Sequence, residues 1–191
     1  MTERDETPAV SELSLPSLWE RLADPQAATG GGSAAAVAAG MAAALVAKAA
    51  RRSADSWPEA AGVAAQARSL AARCLELAES DSRAFAAALQ ALGDRTEIDV
   101  RLDQAVVVLL AVGEVATDVA ELAARTAEHC DGTFRGDAVS AALLAEAAAH
   151  GAAALVAGTL TVAEGDPRLI RARRSADAAT AAARCALDTG P

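Results

Sequence analysis

The residues most able to do chemistry fall in three places. Gly30, Gly31, Gly32 and Ser33 follow Thr29 and run directly into an apolar stretch at 34–47. Successive glycines carry no side chains to hold a partner away, so this spacing predicts a close approach. Ser33 is placed to N-cap the helix behind it, and free amides at a positive helix end suit a carboxylate or phosphate. No Lys-Ser/Thr pair closes the loop and no strand pattern precedes it, which excludes a Walker loop and a dinucleotide fingerprint. Tight packing of loop or helix is the plainer use of such glycines.

The other two places are single acids. Counting in helical steps along residues 58–92 gives Val63, Ala67, Leu70, Cys74, Leu77, then Asp81, then Phe85, Ala88 and Leu92. Asp81 stands where the pattern asks for an apolar side chain. A carboxylate there must be hydrogen-bonded, ion-paired or at the edge of a cavity, because an unpaired buried charge is prohibitively costly. A stripe that drifts around the helix, leaving Asp81 in water or against an arginine, is the other reading. Asp137 follows the loop Asp131-Gly132-Thr133-Phe134-Arg135-Gly136 and opens a helix, either as its N-cap or as an ionised acid aimed into a cleft.

Helices must position these groups. Alanine dominates the apolar residues, and alanine favours helix over strand. The spacing predicts helices over 14–23, 33–53, 58–92, 98–130, 137–163 and 167–187, with an apolar stretch at 106–110 buried all round. Residues 1–13 lack apolar periodicity and read as a flexible tail. The second helix, smooth with Gly40, Ala43, Ala44 and Ala47, is expected to be central. The fold class is all-α, a single-domain bundle of about six helices, several of them long, spanning 14–191.

Composition excludes several classes. The chain has 191 residues, a net charge of −9 and only 2% aromatic residues, without tyrosine. An acidic protein without a basic face or interleaved aromatics is not built for nucleic acid. Cys74, Cys130 and Cys185 are odd in number and lack CxxC spacing, so neither a disulfide framework nor a metal site is indicated. The row Glu114, Asp118, Glu121 and Arg125 reads as a solvated face with a Glu-to-Arg pair. His129 is read as a partner of the dipole at a helix C-terminus. The 34–47 run falls short of the ~20 residues that cross a bilayer, and no signal segment precedes it. The expectation is a cytoplasmic protein without membrane or nucleic-acid partners.

Several segments together resemble the cyclodeaminase/cyclohydrolase family, which includes the deaminase half of formiminotransferase-cyclodeaminase and the stand-alone methenyltetrahydrofolate cyclohydrolases. They are Gly30-Gly31-Gly32-Ser33 after a Leu18-Trp19-Glu20-Arg21-Leu22 helix, Asp81 through Phe85, Val115 through Ala120, and Gly136-Asp137 leading into Ala141-Ala142-Leu143-Leu144. The resemblance implies an all-helical homodimer acting on a tetrahydrofolate one-carbon derivative, with no permanently bound cofactor. It leaves cyclohydrolase and cyclodeaminase activity open. The chemistry needs water or an amine at an amidinium-like carbon and a carboxylate to hold charge and move a proton. On this basis Asp81 and Asp137 are the expected catalytic residues, sharing one pocket. Gly30, Gly31, Gly32 and Ser33, helped by Arg52 or Arg135, are expected to bind the acidic tail of the substrate. Ala28, Thr29 and Ala116 stand where the family has other residues, and Leu155 and Thr159 stand where it commonly has asparagines. A diverged, non-catalytic helical dimer that binds a folate-like or other acidic ligand is the alternative.

Overall fold

The computed structural model describes residues 9–160 and 165–188. Six α-helices carry the architecture: α1 Leu15–Ala23, α2 Gly31–Arg52, α3 Ala60–Asp94, α4 Ile98–His129, α5 Arg135–Thr159 and α6 Pro167–Asp188. No strand occurs among the described residues. The all-α expectation holds. Position 163, where the fifth helix was expected to end, lies outside the described residues, and the helix stops at Thr159.

α4 is the hub, packing against α2, α3, α5 and α6, while α2 packs against α3, α5 and α4. Alanine makes this possible. Ala36, Ala39, Ala42 and Ala43 of α2, Ala116, Ala120 and Ala123 of α4, and Ala141, Ala142 and Ala145 of α5 are all fully buried. Short side chains let helix axes approach closely, and buried apolar area still stabilises at about 25 cal/mol per Å². The same property makes α2 and the run Gly132–Thr159 long and apolar enough, by length and composition, to cross a membrane, contrary to the expectation from residues 34–47. In the bundle 56% of the apolar window of α2 is buried, and 39% of that in Gly132–Thr159.

Local differences from the expected pattern have physical reasons. Val10 is buried, and Glu79 of α3 accepts hydrogen bonds from the Ser11 amide (2.8 Å) and hydroxyl (3.1 Å). The expected 1–13 tail therefore does not extend through residues 10–12, which form one 3-10 turn docked on α3; residues 1–8 lie outside the described residues. Ser14 caps α1 through the amide of Ser17. Within 106–110, Val106, Leu109 and Leu110 are buried but Val107 is 64% exposed. Val106, Leu109 and Leu110 pack with Val156, Leu160 and Ala172 at α5 and α6, and Val107 faces away from that cluster into solvent. α3 runs through Gly93, and Arg95 instead takes the left-handed conformation at its end. His129 stacks on buried Trp57, with ring centroids 5.4 Å apart. Glu114 of the acidic row pairs with Arg171 of α6, a tie across helices that its spacing did not predict.

Because Ala39 is fully buried where α2 meets its neighbours, Ala39→Leu overfills the interface. The expected cost is about 1–3 kcal/mol, read as a lower urea midpoint at unchanged slope.

Candidate active site

The site begins with a cap that α2 lacks. Gly30 is the N-cap residue, in extended conformation, and it has no side chain to accept from the first-turn amides. Ser33 is not the cap, as its spacing suggested; it lies inside the first turn and is completely buried. The acceptor is supplied by α3. Asp81, only 6% exposed, takes a hydrogen bond from the Ser33 amide, and its Oδ2 lies 2.8 Å from Ser33 Oγ. The stripe on α3 therefore does bury its acid, as its position predicted. The acceptor that Ser33 meets at this helix end is the chain's own carboxyl.

Gly32 explains why the loop needs a glycine. A Cβ there would stand 2.1 Å from Asp81 Oδ1 and 2.7 Å from Oδ2, well inside contact distance. At Gly31 a Cβ would meet the Leu155 side chain at 3.2 Å, and at Gly30 it would meet nothing. The close approach predicted from three glycines is thus made chiefly at one of them.

Ser33 Oγ also lies 3.1 Å from the carbonyl of Ala78. One hydroxyl hydrogen serves two acceptors in turn. When Asp81 is ionised, the hydroxyl donates to the carboxylate. When Asp81 carries a proton, its O–H can donate to Ser33 Oγ while the serine hydrogen turns to Ala78. Both protonation states of the acid are satisfied without moving the backbone.

Beside Asp81 is a slot of about 130 Å³ lined by Phe85 and Ala88 of α3, Leu102 and Leu109 of α4, and Leu155 and Thr159 of α5. Asp81 is the ionisable side chain in that wall. The Thr159 hydroxyl is turned back onto the carbonyl of Leu155 at 2.8 Å, leaving the slot mostly apolar. Burial among these groups pushes the Asp81 carboxyl above its ordinary value of 3.8, partly offset by the bonds from Ser33. A Thr29 to Ser82 hydroxyl contact of 3.2 Å stands near a larger open hollow of about 610 Å³, which has Arg21, Asp24, Glu79 and Arg83 in its walls.

The remaining expected site residues are elsewhere. Asp137 lies in the first turn of α5, where Lys48 Nζ of α2 approaches its Oδ2 to 2.7 Å. Lys48 follows Ser33 by fifteen residues, about 22 Å along a helix axis, so within one chain Asp81 and Asp137 occupy opposite ends of α2. The expectation of one shared pocket fails for the single chain, because α5 enters the bundle at the end where α2 finishes. Arg52 lies over the Phe134 ring, 5.2 Å from its centroid. Arg135 donates to the carbonyls of Ala186 and Leu187, satisfying the C-terminus of α6. Sequence reasoning missed Leu102 and Leu109 as slot residues, since an apolar residue on a core stripe carries no mark of facing a cavity. Phe85 was legible as the next step after Asp81 on the α3 stripe.

Gly32→Ala is expected to lower the melting temperature, and Asp81→Ala is expected to relieve part of that loss. Unfolding of the two single variants and the double variant measures the coupling, and strict additivity would contradict the contact. Asp81→Asn keeps an acceptor for Ser33 but removes the buried charge. A raised folded pKa means the native state holds its proton more tightly than the unfolded chain, so stability falls as pH rises from the unfolded to the folded value. At pH 7 to 8 Asp81→Asn is therefore expected to melt higher than the wild type. That difference should shrink as pH falls below the ordinary carboxylate value.

A comparison with curated proteins returned no match. Among solved structures, the crystal structure of formiminotetrahydrofolate cyclodeaminase from Thermotoga maritima has the same fold, with a TM-score of 0.81 at 22% identity over 94% of this chain and 95% of that one. The family model for formiminotransferase-cyclodeaminase matches residues 14–166, and with Asp81 and the glycine loop inside that span the chain belongs to the formiminotransferase-cyclodeaminase family.

Proposed function

We propose that the protein is a folate-dependent one-carbon enzyme that hydrolyses methenyltetrahydrofolate or closes formiminotetrahydrofolate with loss of ammonia. The observation that carries this reading is Asp81, a buried acid at the edge of an apolar slot, hydrogen-bonded so that it can hold or release a proton. In hydrolysis, ionised Asp81 faces the cationic methenyl carbon and takes a proton from the attacking water. The same proton then goes to the nitrogen whose bond to that carbon breaks, and the remaining hydroxyl proton is released to water as the formyl carbonyl forms. In ring closure the exocyclic arylamine nitrogen attacks the formimino carbon, and Asp81 takes the proton which that nitrogen loses and delivers it to the amino group that departs as ammonia.

Size supports a divided substrate. Small-molecule pockets commonly enclose about 300–1,000 Å³; the slot of about 130 Å³ is too small for the whole molecule, while the hollow of about 610 Å³ lies in that range. The one-carbon bridge enters the slot and the bulk of the substrate stays outside it. A second reading, binding without turnover, is favoured by Leu155 and Thr159, which line the slot at the two positions where the resemblance places asparagines.

The test is a side-by-side assay of methenyl absorbance loss and of ammonia release from the formimino substrate. Asp81→Asn is expected to slow turnover about 10²–10⁴-fold. For Asp81 acting as a base in hydrolysis, kcat/KM should fall as pH falls through its pKa, with the midpoint above 3.8. Wild-type progress curves equal to buffer on both substrates overturn the enzymatic reading, and thermal stabilisation by the folate under those conditions selects the binding one.

A further inference from the structure

Glu79 and Arg83 stand one turn apart on α3, acid before base, the order and spacing that pair on a helix surface. They do not pair here. Glu79 instead accepts from the Val10 amide, from the Ser11 amide at 2.8 Å and from the Ser11 hydroxyl at 3.1 Å. Among the described residues, the hydrogen bond that Arg83 makes is a long one, 3.4 Å to Ser80 Oγ. The segment at 9–13, anchored by buried Val10, has drawn the acid away from its base.

Glu79 and Arg83 both line the hollow of about 610 Å³, and Ala9 and Val10 form part of the same wall. The segment that engages Glu79 therefore also shapes the cavity. The other acid in the wall is engaged in the same way, since Asp24 Oδ1 accepts from the Gln26 amide at 2.9 Å. With its carboxylates turned to backbone amides and the guanidinium groups of Arg21 and Arg83 in its walls, the hollow suits a ligand that brings carboxylate oxygens of its own. It also adjoins the slot. Thr29 lines the hollow and Gly30 the slot, and on α3 Ser82 faces the one and Asp81 the other.

We propose that Arg83 binds a carboxylate of the substrate in this hollow, and that the segment at 9–13 keeps Arg83 available by holding Glu79. The role rests on the folate reading above, in which the one-carbon bridge enters the slot and the glutamate end of the molecule lies outside it. When the segment leaves α3, Glu79 turns to Arg83 at the preferred spacing, and its charge opposes that of the ligand. Docking of the segment and binding of the anion thus favour each other. The segment precedes residues 14–166, the span of the family match.

The probe is p-aminobenzoylglutamate, which carries the carboxylates and has no reactive carbon, titrated into the full chain by calorimetry. Arg83→Gln is expected to weaken its binding about five- to tenfold, the loss of one charge-assisted hydrogen bond. Val10→Asp, which releases the segment, should weaken it to a similar degree with Arg83 still in place. Adding Glu79→Gln to Val10→Asp should restore most of the affinity, because a neutral amide no longer competes for the guanidinium. A wall that acted by shape alone would show no such recovery. Ser11→Pro, which deletes one donor amide and keeps Val10, gives the same comparison should Val10→Asp fail to fold. Equal affinity of wild type and Arg83→Gln, or no binding to either at millimolar probe, overturns the proposal, and absence of recovery by Glu79→Gln overturns the role of the segment. Turnover of either folate with KM unchanged in Arg83→Gln keeps the enzyme and removes the subsite. Arg83-dependent binding of the probe without turnover does the reverse.

Discussion

The contact between Asp81 and the first turn of α2 holds two requirements that neither helix meets alone. A helix N-terminus leaves amides without partners, and Gly30 offers no side chain to accept from them. A carboxyl on a buried helix face needs donors, and the stripe of α3 supplies none. Bringing the two together across 48 residues of sequence satisfies both. The contact also dictates the small residue at position 32, because the carboxyl occupies the space that a Cβ would take.

Alanine-rich packing is the background that makes this contact possible and also limits it. Closely approaching helices leave little room for large side chains, so the interior offers few places for a cavity. The slot forms where the N-terminal end of α2 stops short and Phe85, Leu102, Leu109 and Leu155 converge around the exposed end of the turn. Their apolar surfaces exclude water from one side of Asp81 and raise its affinity for a proton. The Ser33 hydroxyl, able to donate to either Asp81 or Ala78, keeps both charge states tolerable. An acid set this way is suited to passing a proton, at some cost to the stability of the fold.

The second group of polar residues has a different character. Lys48 and Asp137 form a partly exposed pair, and such pairs contribute little to stability because solvent screens them. Arg135 is committed to the end of α6, and Arg52 to Phe134. These residues organise the end of the bundle where α2 finishes and α5 begins. A single chain keeps them away from the slot, the length of α2 lying between.

The sequence by itself determined the helices, because alanine content, apolar spacing and Gly/Pro breaks act locally. It also marked Asp81, since an acid on an apolar stripe is a conflict that only a partner or a cavity resolves, and it marked the glycines as a place of close approach. It misassigned the cap of α2. Ser33 was read as the cap, whereas Gly30 holds that position and the carboxyl of Asp81 accepts from Ser33. It also placed Asp81 and Asp137 in one pocket, although α2 separates them. Periodicity tells which face of a helix is buried, but it carries no information on which end of one helix meets which end of another. That choice is made by the packing of whole helices, so the partner of each polar group was decided only in the tertiary structure.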